Sequence, residues 1–139
     1  MSQWLFGSLF AVGTMGLAYV MFRRRRKRGV LTLLARRQNP TREEFIALMI
    51  GDVSPETAVW MWDTVRLYTE PDLMPHPDDD LIGNLMIDDD DVGMDWLPEF
   101  AKVRGTNWKL WPDWPTGQVV TVRHFARWLE QGLMAQSQR

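Results

Sequence analysis

Residues Pro77 to Phe100 read PDDDLIGNLMIDDDDVGMDWLPEF. An apolar spine (Leu81, Ile82, Leu85, Ile87, Val92, Met94, Trp96, Leu97, Phe100) runs through eight aspartates, four of them consecutive, Asp88 to Asp91. A plain acidic surface run lacks the apolar spacing, and a plain core helix lacks the carboxylates. A loop that packs from one side and presents negative charge from the other needs both.

Beyond this stretch the chain reads as short helices. Asp95 is placed to cap a helix that has Pro98 at its third position, where a missing N–H breaks no intrahelical bond. The face of that helix is Trp96 or Leu97, Phe100 and Val103, and it ends near Gly105. Trp108, Trp111 and Trp114 alternate with Pro112 and Pro115 in a turn-rich connection that roofs a small core. Thr121 caps a last helix with Val122, Phe125, Trp128 or Leu129, and Leu133 on its apolar face.

On the other side of the acidic stretch, Thr41-Arg-Glu-Glu44 forms a capping box ahead of Phe45, Leu48 and Met49, with Gly51 as the stop. Ser54 and Pro55 then supply an N-cap and a first helical position. The face Val59, Trp62, Val65 and Tyr68 or Leu67 carries that helix to about Thr69, where Pro71, Pro75 and Pro77 impose a long loop. No stretch alternates as a strand does, so the predicted class is all-α. Trp62, Phe100, Phe125 and Trp128 are expected to pack together in the core.

The charge is divided unevenly. Residues 1–38 hold eight basic residues and no acid, whereas residues 39–139 hold 8 basic against 18 acidic residues, a balance of −10. Trp4 to Phe22 is 19 residues without a charge, about 28 Å of helix at 1.5 Å per residue. Trp4 and Tyr19 fit interfacial positions, and Arg23, Arg24, Arg25, Arg26, Lys27 and Arg28 come directly after. Those features predict a single uncleaved transmembrane helix with the basic flank and the carboxyl-terminal domain in the cytoplasm of a bacterial inner membrane. The predicted organisation is an anchor with its basic flank over 1–28, a linker and short helix over 29–53, and a helical domain over 54–139.

The residues that carry chemistry are few. The absence of cysteine excludes disulfides, thiol catalysis and cysteine-ligated zinc. There is no glycine-rich phosphate loop and no nucleophile–base pair, and His76 and His124 stand apart as surface or packing residues. Asp88–Asp91 lacks the spaced oxygens, the glycine and the closing glutamate of a calcium loop. A domain this acidic does not attract a phosphate backbone, so nucleic acid is not an expected partner. The expectation is a protein without catalytic residues, metal or cofactor.

PDDDLIGNLMIDDDDV and TVRHFARWLEQG together resemble the acyl-carrier-protein-like family known as domain of unknown function fourteen-ninety-three, over about 80 of the 139 residues. The resemblance implies an acyl-carrier-like bundle over Ser54 to Leu133: helix, long loop, Asp-rich turn, second helix, connection, last helix. It also places Asp88 and Asp91 at the flanking aspartates of the carrier motif, and Asp89 where the phosphopantetheine-bearing serine stands. A carboxylate cannot replace that hydroxyl, so no acyl thioester is expected. What the resemblance leaves is an acidic docking surface, here Asp88, Asp89, Asp90, Asp91 and Asp95. The expected function is a membrane-anchored adaptor or regulatory subunit docking on a membrane protein or membrane-associated enzyme complex, with the lipid bilayer contacted through the amino-terminal helix. The alternatives are an acidic decoy or inhibitor protein, and a modified carrier in lipid or envelope biosynthesis.

Overall fold

The computed structural model describes residues 2–69, 71–115 and 117–139, with side chains described from residue 13 onward. Its five α-helices are α1 (Ser2–Arg36), α2 (Arg42–Met49), α3 (Pro55–Arg66), α4 (Leu97–Val103) and α5 (Val122–Ser137). The described residues form no strand, only isolated bridges that pair Ile50 with Val53 and Asp80 with Thr121. Three helix starts arise from their capping residues. The Thr41 hydroxyl accepts from Glu44 N while the Glu44 carboxylate accepts from Thr41 N at 2.7 Å, a complete capping box. Ser54 caps α3 ahead of Pro55, and Thr121 caps α5 by accepting from His124 N at 3.1 Å.

The expected transmembrane anchor needs correction. Among the described residues no helix is long and apolar enough to cross a membrane. The physical reason lies in where the charge falls: Arg23–Arg28 occupy the middle of α1 rather than its end, so the helix is not apolar along its length. Trp4 and the first half of the expected span lie outside the residues whose side chains are described. Single-pass topology and inner-membrane localisation rested on that span and lose their ground with it.

The far end of α1 belongs to the bundle. Leu33 is buried in the core, with Val30 and Leu34 packed against it. Arg37, just past the helix, donates from Nε and Nη2 to both oxygens of Asp79, at 2.8 and 2.6 Å, and from Nη2 to the carbonyl of Met74 at 2.8 Å. This bidentate pair joins residues 42 positions apart and clamps the proline-rich loop against α1.

The acidic stretch packs on one side as its spine requires: Leu81, Leu85, Ile87 and Val92 are buried, while Ile82 and Met94 stay exposed. Asp80 organises its first turn, accepting at Oδ1 from Ile82 N and Gly83 N. The next helix begins earlier than Asp95 predicts. Residues 89 and 90 are already helical, Asp91–Trp96 is wound as a π-helix, and α4 continues from it through Pro98. Asp95 therefore stands in mid-helix and caps nothing. Asp88 takes the start instead, accepting from Asp90 N at its Oδ1 at 3.0 Å. A proline ring clashes with the carbonyl four residues earlier in an α-helix. For Pro98 that residue is Met94, within the wider π turn, which lets the helix pass the proline unbroken.

The core is aromatic. Trp62, Phe100 and Phe125 are buried as expected, and Trp128 only partly. Tyr68, Trp96, Phe125, Trp114 and Trp128 form a chain of ring contacts with centroids 5.3–6.0 Å apart. Phe45 meets Trp62 at 5.3 Å, which seals α2 on α3. Each such ring stabilises the fold by about 1.5–3 kcal/mol through burial. Trp111 reaches its place because α5 has glycine at 132: a Cβ there would stand 2.0 Å from Trp111 Nε1. The same closeness leaves that buried indole N–H without a hydrogen-bond partner among the described residues.

Candidate functional site

The carboxylates fall into two groups by position. The first group is inside or between elements and paired. Asp79, 3% exposed, is held by Arg37 and also accepts from His76 N at 3.0 Å. Asp52, in the turn after α2, takes Arg123 on one oxygen and Arg127 on the other, both from α5. Arg127 chiefly, and Arg123 with it, hold the Asp52 carboxyl below its usual range against the opposing effect of burial. Arg123 in turn donates to Asp78 at 3.0 Å and to the carbonyl of Leu48 at 2.9 Å. Glu130 of α5, 9% exposed, accepts from the backbone N and the hydroxyl of Ser54. Burial pushes its pKa up, but hydrogen bonds from Ser54 and Thr57 outweigh it and leave the carboxyl lowered.

The second group is the acidic turn. Asp88, Asp89, Asp90 and Asp95 are exposed and Asp91 half-buried. Among the described residues none of the five forms an ion pair. The structure therefore brings four of the sequence-predicted docking residues together at a helix start and sets Asp95 further along the same helix, in its π segment. Among the described residues, the one hydrogen bond to their side chains is that of Asp90 N to Asp88. Like charges crowded this closely repel one another unless something outside neutralises them.

A groove of about 470 Å³ opens beside this turn, with Asp89 at its rim. Its walls are Val92 and Leu97 from the helix, Trp111 and Trp114 from the tryptophan-rich connection, and Phe125 and Trp128 from α5. Trp128 is held in orientation by donating Nε1 to the carbonyl of Pro112 at 3.0 Å. Ile82 and Trp108, exposed at 41% and 45%, extend the apolar surface at the mouth. The spacing of tryptophans announced a roof over the core; that they would leave an open trough beside the acidic turn was not visible in the sequence.

Chemically the arrangement can attract cations and hold an apolar side chain. Among the described residues no three His, Asp or Glu side chains are gathered to hold a metal ion. His76 is half-buried, its pKa lowered by burial and by the nearby Arg37 guanidinium, and His124 is exposed near the start of α5. Of the residues expected at a membrane, Tyr19 and Arg23, Arg24, Arg25, Lys27 and Arg28 are exposed on α1. Arg26 is partly buried and donates to the carbonyl of Tyr68 at 2.6 Å, so one member of the basic run helps dock α1 on the end of α3. No protein-family model, curated protein or solved structure matches the chain.

Proposed function

We propose that this chain is a non-catalytic, acyl-carrier-like adaptor or regulatory subunit that docks on a basic surface of a partner protein through Asp88–Asp91 and Asp95. The observation that carries the reading is the division of the carboxylates. Asp52, Asp78 and Asp79 are matched by arginines, while the five of the acidic turn form no ion pair among the described residues, although Lys109 lines the groove beside Asp89. An external basic patch relieves that crowding, and complementary charge favours fast encounter and choice of partner over raw affinity. The groove beside Asp89 supplies the apolar contact that charge alone does not, so the partner segment is one with an aliphatic or aromatic anchor next to lysine or arginine.

Further support comes from the order of elements: α3, a long loop, a helix opened by Asp88, a short 3-10 turn at Trp108–Leu110 and a threonine-capped last helix. That is the order the acyl-carrier resemblance implies. Asp89 at the place of the carrier serine favours an adaptor over a loaded carrier.

The test is capture on the immobilised full-length chain, with Asp89→Asn/Asp90→Asn beside the parent. A partner retained by the parent should be lost from the variant and released by moderate salt, because exposed charges are screened over roughly 8 Å at physiological ionic strength. Retention of the same proteins by both chains, at all salt concentrations, would refute the docking role.

A further inference from the structure

A run of exposed apolar side chains lies on α1, outside the bundle core. Met15, Leu17, Tyr19 and Met21 are each more than 60% exposed, and Val20 and Phe22 nearly half. A run of this kind on a protein surface marks a contact with something apolar. The basic run comes next on the same helix, and the fold turns part of it toward a cleft of about 580 Å³ between α1 and the loop at Pro71.

On the helix side the cleft is lined by Tyr19, Val20, Arg23, Arg24 and Lys27, a face with the repeat of an α-helix, and Asp72 stands on the far wall. Arg23 lies over the Tyr19 ring at 5.9 Å, which steadies the guanidinium at the boundary between the apolar and basic parts. Arg25 and Arg28 do not line the cleft. Among the described residues that line the cleft, three cations thus face one carboxylate at the edge of an apolar helix surface. A soluble anion would satisfy the cations but leave residues 15–22 in water. A basic protein segment would be repelled. An anionic lipid meets both demands.

We propose that this cleft binds the phosphate of an anionic phospholipid at a membrane surface, with the apolar residues 15–22 of α1 lying against the acyl region beside it. Arginine suits such a group because its fork of N–H donors matches phosphate oxygens. Contact of this kind is interfacial and needs no helix that crosses the bilayer. It is independent of the acidic face, which lies on other elements.

The test uses the full chain and sedimentation with vesicles of phosphatidylcholine alone or phosphatidylcholine containing phosphatidylglycerol. The chain should sediment with the anionic vesicles only. Arg24→Gln/Lys27→Gln should weaken that binding on the order of tenfold more than Arg25→Gln/Arg28→Gln, although both pairs remove the same charge; a cation near an anionic surface contributes roughly tenfold or less by charge alone. Arg24→Lys should retain most of the binding. Equal losses from the two pairs would overturn the cleft as a site, as would equal binding to both vesicle types. Binding of soluble glycerol phosphate without vesicle binding would overturn the lipid, and self-association of the chain without vesicle binding would assign the apolar face to a second copy instead.

Discussion

Asp79 and Asp89 lie ten positions apart in one acidic stretch, and the fold treats them oppositely. Asp79 is sealed between α1 and the proline-rich loop with both oxygens on Arg37; Asp89 stands at the rim of a groove and forms no ion pair among the described residues. Asp52 and Glu130 belong with Asp79, and Asp88, Asp90, Asp91 and Asp95 with Asp89. The difference shows that clustering is no measure of what an acidic residue does. Asp78, Asp79 and Asp80 are as crowded as the later run, yet Arg123, Arg37 and the turn at Ile82 and Gly83 engage each of them, whereas Asp88–Asp91 and Asp95 hold almost nothing.

That contrast breaks most readily at Asp79. Asp79→Ala leaves Arg37, 13% exposed, with no counter-charge and strands the N–H of His76. Removing one partner of a buried pair costs about 3–5 kcal/mol, to be read from urea denaturation of the full chain. A loss below about 1 kcal/mol would place Asp79 with the free group.

Glu130→Gln is the next largest. It weakens the acceptor that joins α5 to the first turn of α3 and leaves the Ser54 donors partly unsatisfied, a cost of about 1–3 kcal/mol. Acid provides the same test without mutation. Asp52 and Glu130 both have pKa values lowered by folding, so their contribution is present above the unfolded values and is lost as pH falls through the folded ones. The ordinary values are 3.8 and 4.5, so the loss begins as pH falls through that range and continues below it. Denaturation midpoints measured against pH should fall less steeply for Asp52→Asn/Glu130→Gln than for the parent. Parallel curves would mean that these two carboxylates do not carry the acid sensitivity.

How much of this the sequence shows depends on range. Thr41, Ser54 with Pro55, and Thr121 act within three residues of themselves, and each caps the helix its spacing predicts. Asp95 with Pro98 obeys the same rule and misleads, because a π segment changes the register and lets the helix start at Asp88's turn. Nothing local distinguishes the two cases. Arg37 with Asp79, Asp52 with Arg123, and Ser54 with Glu130 join positions 42, 71 and 76 apart, which no periodicity reports. Gly132 reads as an ordinary break in the apolar pattern of α5 until Trp111 is seen against it. For the acidic face the composition was legible, and so was its apolar underside. Its lack of ion pairs among the described residues depends on where the arginines go, and only the fold supplies that.

The smallest effects should come from the acidic turn, and they separate its members. Asp88 accepts from Asp90 N and opens the helix, so Asp88→Ala should cost about 1 kcal/mol, the usual value of a lost cap. Asp89 and Asp90 occupy the next two positions, where the helix dipole favours a negative charge by about 0.3–1 kcal/mol. Repulsion from three neighbouring aspartates opposes that gain by a similar amount. Asp89→Asn and Asp90→Asn should therefore change stability by less than about 0.5 kcal/mol, the range of ordinary surface substitutions. Asp95, in mid-helix, has only the repulsion, and Asp95→Asn should be neutral or slightly stabilising. Measured side by side in urea, the four variants should rank with Asp88 alone costly. A cost above about 1 kcal/mol for Asp89→Asn would mean that the folded chain engages that carboxylate after all, and the line drawn between it and Asp79 would have to move.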